Sequence, residues 1–394
     1  MTFFKLFEQS EFQFAMRIIL AGCIGRFPLA GHAWITIQYL LGFRNLGHDV
    51  YYLEDCGDES WVYDWHEQQL TNDMDYPASF VRRMLEPVGM EGRWIYRTSQ
   101  ASAGMSIDLL NDICLSADLL VVRGAPLPVW RNEYSAPKRR AFIDVDPLFT
   151  QVKATRGEPD IVETLARCEN LFTIAQRFGK SDCHIPLLKR MWHITVPPIF
   201  LPAWPVSRQQ PVYPFTTVMQ WTSYESIRYR DIAYGNKSHE FPKFTAVARR
   251  CGAGFCVAMV GRPPDDADIR GWQIIEGTSI SSALEDYRQF IQQSLGEFSV
   301  AKQGYVISRG GWFSDRSVCY LASGRPVVVQ DTGLRDALPL GRGIIGFQTV
   351  DEAVEAVADI QQHYDEHRLA ARRIAEDLFS TDRVLPLLLE QALA

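Results

Sequence analysis

The feature that most constrains this chain is a rhythm. Short, wholly apolar runs of strand length alternate with longer stretches of helical period, and one proline-dense segment interrupts them near the middle of the 394 residues. "MRIILAGC" (residues 16–23) is the first such run. A strand covered on both faces shows no polar alternation, so a continuous apolar run ending in glycine predicts a buried parallel strand. "WITIQYLLGFRNLGH" follows, with Ile37, Leu40, Leu41 and Leu46 on helical spacing and Gly47 placed to end the helix. "DVYYLED" completes a strand–helix–strand unit. "LLVVRGA" (119–125), "RAFIDVD" (140–146) and "LFTIAQ" (171–176) continue the series.

The interruption is "VPPIFLPAWPVSRQQPVYP" (196–214), whose composition is that of a connector between domains. Alternation then restarts. Strands are predicted at "FTTVMQW", "GFCVAMVG", "WQIIEG", "EFSVA" and "RPVVVQD", and helices over 240–252, 282–295 and 314–323. A chain of this length exceeds what one core organises. The expected fold is therefore α/β, with two facing doubly wound Rossmann-like domains at residues 1–205 and 206–380 and a helical tail at 381–394. Ligands of such sheets bind outside the carboxyl ends of the strands.

Composition bounds the partners. A net charge of −7 argues against a nucleic-acid partner, which needs a basic surface, although a local basic cleft stays compatible with it. The eight cysteines include no CxxC pair, so they read as reduced thiols of a cytoplasmic protein rather than a disulfide frame or zinc site. No run of roughly eighteen apolar residues occurs, so no membrane span is expected. The leading "MTFFKLFEQSEFQFA" lacks the parts of a signal peptide.

Chemistry concentrates in a few loops. "GCIGRFPLAGHAW" (22–34) follows the first strand, but its glycines do not fit the dinucleotide fingerprint, which speaks against NAD. It places His32 at the start of the first helix, where an imidazole can serve as a general base or simply pack. Two acidic pairs, "DVD" (144–146) and "DDAD" (265–268), have the form of a metal-binding DxD, a common chance pattern. In "SRGGWFSDRSVCYLASGRPVVVQDTG" (308–333), a glycine turn precedes a helix that Ser314 can cap. Backbone N–H groups at such a helix start suit a phosphate, while Val318, Leu321 and Ala322 face the core.

Two of these stretches carry a resemblance. "FPLAGHAWITIQYLLGFRNLGHDVYYLE" resembles the opening of GT-B nucleotide-sugar glycosyltransferases, through Gly31-His32 and the entry Gly47-His48-Asp49-Val50. "GGWFSDRSVCYLASGRPVVVQD" resembles the donor-binding signature of the same group, through Gly311-Trp312, Ser314 and Asp331. The resemblance implies a hexosyltransferase that uses a nucleoside-diphosphate sugar, such as a UDP-sugar, as co-substrate, with no cofactor and no metal. The acceptor would be a small hydroxylated molecule of natural-product type. His32 would deprotonate the acceptor hydroxyl, oriented by Asp144 or Asp146, with inversion at the sugar.

Arg309, Gly310, Gly311, Trp312, Ser314, Asp315, Arg316, Ser317 and Asp331 would surround the donor, aided by Gly235 and Lys237 and by Glu297 and Lys302. Gly31, Trp34, Trp61 and Tyr63 would line the acceptor pocket. The tail would cross back to the first domain. The pattern breaks at Arg309, which stands where the family has a diphosphate-binding His, and at Ser317, which stands where it has a ribose-binding Glu. A nucleotide-sugar 2-epimerase, a non-catalytic nucleotide-sugar-binding protein and a DNA-modifying glycosyltransferase are the alternatives on the same scaffold.

Overall fold

The computed structural model describes residues 15–65, 67–208, 210–261 and 269–394. The acidic pair at 265–268 and most of the leading segment lie outside the described residues. The apolar runs form two sheets. The first holds β1 (Arg17–Ala21), β2 (Asp49–Asp55), β3 (Trp94–Arg97), β4 (Ser102–Gly104), β5 (Leu119–Arg123), β6 (Arg139–Asp144), β7 (Asn170–Thr173) and β8 (His193–Ile194). Its order is β8-β7-β6-β5-β1-β2-β3-β4, and only β3 and β4 pair antiparallel. The second holds β9 (Tyr213–Gln220), β10 (Phe255–Val260), β11 (Trp272–Glu276), β12 (Ser294–Ser299), β13 (Val327–Gln330) and β14 (Ile344–Phe347), all parallel, in the order β11-β10-β9-β12-β13-β14.

Each sheet is doubly wound, as the alternation predicts. The chain starts in the middle and turns outward twice, leaving a crevice where the direction switches. That switch lies between β1 and β5 in the first sheet and between β9 and β12 in the second. The central strands have no exposed side: Ile18, Ile19, Leu20 and Leu119 through Val121 are fully buried, as are Phe215, Val257 and Val328.

The domains pack through helix Ala30–Asn45, which is buried almost all round because it serves both. Its first N–H groups would be orphaned at a helix start. Ala30 N donates instead to Ser281 O of the second domain at 2.8 Å, and Trp34 Nε1 donates to Leu284 O at 2.9 Å. Gly42 leaves room for the final helix Thr381–Leu393, since a Cβ there would stand 2.5 Å from Leu385. That final helix lies on the first domain, where Asn170 Nδ2 donates to Ala392 O at 3.0 Å.

The chain crosses between the domains twice, and the crossings pair with each other. Ile199 N donates to Phe379 O at 2.7 Å and Thr381 N to Ile199 O at 3.0 Å. Prolines strip the connector of donors, so its carbonyls are served by side chains: Arg288 holds Ala203 O, Arg368 holds Ser207 O and Arg372 holds Trp204 O. The helix expected over 240–252 is a 3-10 turn Phe241–Phe244 followed by a short helix Ala246–Cys251.

Candidate functional site

The carboxyl ends of both sheets open onto one cavity of about 420 Å³ between the domains. Its floor is built by the loops after β1 and β5 on one side, and by those after β9 and β12 on the other. Arg26, Arg123, Lys153, Lys237, Lys302 and Arg316 line it, against the carboxylates Asp146, Asp160 and Asp315. A chain of net charge −7 therefore gathers a cationic surplus in its cleft. Field lines focused there favour an anion.

The loop after β1 is fixed by a buried acid. Glu54, near the end of β2, accepts from Gly25 N at 2.8 Å and Arg26 N at 2.7 Å, and Tyr52 Oη donates to it at 2.6 Å. Burial raises its pKa to about 7 against those hydrogen bonds. The loop so held delivers His32 to the cavity wall. Its ring stacks on Phe27 with centroids 5.1 Å apart. Burial, then the charges of Arg123 and Lys302, lower its pKa to about 4, with Asp146 opposing. The imidazole is neutral at pH 7 and open to a proton.

The expected His–Asp hydrogen bond is not formed. Asp144 is wholly buried, and its oxygens are taken by Thr150 Oγ1 at 2.7 Å, Gln151 Nε2 at 2.7 Å and Thr173 Oγ1 at 3.1 Å. It braces the turn after β6; burial lifts its pKa to about 6. Asp146 lines the cavity but turns to the second domain, accepting from Tyr224 Oη at 2.7 Å, Lys302 Nζ at 3.3 Å and Tyr305 Oη. Lys302 lies 4.2 Å from the Tyr224 ring centroid. This cluster clasps the domains together, and Lys302 is a member of it while also lining the cavity. Beside it, Leu148 sits at φ 77° and ψ −57°, the strained geometry of a γ-turn, which costs a leucine about 1–3 kcal/mol.

The glycine loop of residues 308–333 divides in two. Trp312, Ser314, Asp315 and Arg316 line the cavity; Gly310 and Gly311 do not. A Cβ at Gly310 would stand 2.6 Å from Ile185, and one at Gly311 3.1 Å from Arg177, so the glycines admit the first domain rather than a diphosphate. Arg177 N bonds Gly310 O at 2.9 Å. Trp312 stacks on Tyr305 at 4.2 Å. Ser314 precedes helix Asp315–Ala322, and its hydroxyl makes no cap bond, leaving it available to a ligand.

Lys237, in the loop after β9, is the most telling cation. It is 8% exposed, and no hydrogen-bond or ion-pair partner meets its ammonium among the described residues. Burial, then the charge of Arg316, pushes its pKa well below the ordinary lysine value. Arg316 is already committed: Nε to Glu297 at 2.5 Å, one terminal nitrogen to Val218 O at 2.8 Å and the other to Ser299 Oγ at 2.8 Å.

Several other expected ligands stand elsewhere. Glu297 is fully buried under Arg316, and Gly235 packs against His239 and Gln303. Arg309 points away from the cavity and pairs with Asp182 at 3.2 Å. Ser317 is buried on the core side of its helix. Asp331 accepts from Gly333 N at 2.8 Å and Leu334 N at 2.6 Å, closing a turn rather than facing a sugar. Gly31 and Trp34 do line the cavity, with Tyr287 against Gly31. Trp61 and Tyr63 do not; they are exposed on the hairpin Val62–Asp64 and Gln69–Thr71.

Arg26, Arg123, Lys153, Tyr224, Tyr287 and Tyr305 are among the cavity residues that sequence reasoning missed. Only Arg123 left a trace, as a lone charge ending the apolar run "LLVVR" before a glycine.

No protein-family model and no curated protein sequence matches the chain. Solved structures do. An alpha-glucosyltransferase in complex with UDP superposes with a TM-score of 0.60 at 12% identity, over 95% of this chain and 99% of that one. An alpha-glucosyltransferase with UDP and a 13-mer DNA containing a HMU base gives 0.60 at 11% identity, over 96% and 99%. A glycosyltransferase from Rickettsia africae gives 0.52 at 11% identity, over 96% and 98%. The two sheets, their shared crevice and this full-length correspondence give one conclusion: the chain has the GT-B fold of nucleotide-sugar-dependent glycosyltransferases.

Proposed function

We propose that the chain transfers a sugar from a nucleoside-diphosphate sugar to an acceptor hydroxyl, by direct displacement with inversion and without a metal. The observation that carries this reading is Lys237, a largely buried residue whose ammonium meets no hydrogen-bond or ion-pair partner among the described residues, on the wall of a cationic cleft that the start of helix Asp315–Ala322 also lines. A buried ammonium without a partner is costly, and a diphosphate removes that cost. Lys237, the Ser314 hydroxyl and the first N–H groups of the helix would hold the diphosphate, and Trp312 would pack beside the sugar.

In the reaction, the acceptor oxygen bonds to the anomeric carbon as the bond from that carbon to the β-phosphate oxygen breaks. The electron pair stays on the diphosphate, and the hydroxyl proton passes to neutral His32. Asp146 would act on His32 through its charge, since it makes no hydrogen bond to the ring. The relatives' UDP makes a uridine donor the first to try.

In this reading the acceptor is a small hydroxylated molecule. A hydroxyl carried on DNA is the second reading. Net charge speaks for the whole surface, whereas Arg26 and Lys153 stand exposed where the cavity opens, and structures of this fold hold DNA. Thermal-shift screening against UDP-, dTDP-, GDP- and ADP-sugars tests the donor, because a bound ligand raises Tm by mass action. Stabilisation by one nucleotude class, followed by acceptor-dependent release of its diphosphate, is the expected result. Donor consumption without any acceptor would favour the epimerase, and a strong inverse dependence on salt would favour DNA.

A further inference from the structure

Arg123 ends β5 at the first domain's switch point, with 3% of its surface exposed. Its guanidinium crosses the cleft. One terminal nitrogen is 3.6 Å from Asp315 Oδ2 at the start of helix Asp315–Ala322, and its carbon lies 5.5 Å from the Tyr39 ring centroid. Nε is buried and has no partner among the described residues. A guanidinium carries five N–H donors, and a carboxylate at that distance together with the Tyr39 hydroxyl leaves several of them unmet, Nε among them. A buried cation so poorly compensated is expensive, and such groups persist where a ligand completes them.

The neighbouring cations divide the work. Arg316 is occupied by Glu297, Val218 O and Ser299, and Lys302 by Asp146 and Tyr224. Two cations remain on the cavity wall that the helix start shares: Lys237 from the second domain, whose ammonium meets no partner among the described residues, and Arg123 from the first, whose Nε is unmet.

We propose that Arg123 is a catalytic residue that donates to the leaving diphosphate, carried by the first domain onto a donor held by the second. The inference rests on the donor reading given above and adds a division of labour to it. Lys237 and the helix N–H groups bind the diphosphate in the ground state. As the anomeric carbon–oxygen bond breaks and the electron pair settles on the β-phosphate oxygen, the added negative charge meets Arg123, and Asp315 releases its share of the guanidinium. The positive charge of the site is complete only when the domains stand as they do here. Donor cleavage is thereby tied to closure over the acceptor, which limits wasteful hydrolysis.

The test is R123M and R123K in the full-length protein, read by calorimetric titration with UDP and by steady-state kinetics of UDP-sugar turnover. A donor aimed at developing charge is worth about 100-fold or more in kcat. We expect R123M to lose that factor and R123K about tenfold, since an ammonium cannot match a planar fork. Both should keep the UDP-sugar KM within about threefold, as a group acting mainly in the transition state requires, while the Kd of UDP, which already carries the charge that develops, weakens. R123K retains the buried charge and keeps the test readable if R123M loses Tm. Parental kcat in R123K overturns the proposal, as does a rise in the UDP-sugar KM of R123M that accounts for its whole loss of kcat/KM. Failure of the parent to bind any nucleoside diphosphate overturns the donor reading and this inference together. Full activity in R123M overturns this inference alone.

Discussion

Two charged clusters bridge the same cleft, and they differ in one respect. Around Asp146, every charge is answered: Lys302, Tyr224 and Tyr305 converge on the carboxylate, and the Phe149 ring lies 5.3 Å from the ammonium. At the start of helix Asp315–Ala322, charges are left wanting: the Lys237 ammonium meets no partner among the described residues, and Arg123 has a distant carboxylate and the Tyr39 hydroxyl. The protein closes the first cluster on itself and leaves the second for something else. Satisfied polar groups hold domains together, and unsatisfied ones mark where a ligand belongs.

The sharpest way to break this contrast is at the reacting centre. His32→Ala should lower kcat on the order of 100- to 10,000-fold while UDP binds as before. Its pH profile gives an independent check. Because burial lowers the His32 pKa from 6.5 to about 4, the ring is neutral above that value, so activity should hold from pH 7 downward and fall only near pH 4. A fall near pH 6.5 would mean an ordinary imidazole. The same shift has a sign for stability. The folded ring binds fewer protons than the unfolded one, so His32's contribution is present above about pH 6.5 and is lost as pH drops toward 4.

A smaller effect is expected at the satisfied cluster. Asp146→Asn or Lys302→Met leaves a mostly buried partner unanswered and should destabilise the protein by about 1–3 kcal/mol, measured by urea unfolding. The double variant should cost less than the sum of the singles, and strict additivity would show that the clasp is not a unit. The smallest effect belongs to Arg309→Ala. Its pair with Asp182 is half exposed, so stability should move by less than about 1 kcal/mol and UDP affinity not at all. Weakened UDP binding there would restore Arg309 to the diphosphate.

Much of the fold was legible because burial on both faces writes itself into strands such as "MRIILA" and "RPVVV", and prolines mark the crossing between domains. The candidate site was legible where a residue type implies a need. His32, Ser314 and Lys237 sit at element starts on the cleft side, which the switch-point geometry predicts. It was illegible where the need is set by the other domain. Gly310 and Gly311 announce a close approach but not whose, and the neighbours turn out to be Ile185 and Arg177. Asp146 looked like a partner for His32 because the loop carries both candidates, yet Tyr224 and Lys302 claim it from across the cleft. Arg123 reads in sequence as a charge ending a strand, and only the facing helix gives it an anionic neighbour in Asp315.

The most direct test of the contrast is calorimetric titration of UDP into the parent and into Lys237→Met, with Lys302→Met as the control from the satisfied cluster. The account predicts binding by the parent and a Kd weakened by roughly tenfold or more in Lys237→Met, the size of a charge-assisted hydrogen bond. It predicts a change of less than about threefold in folded Lys302→Met. Equal loss in the two variants, or undiminished binding in Lys237→Met, would contradict it.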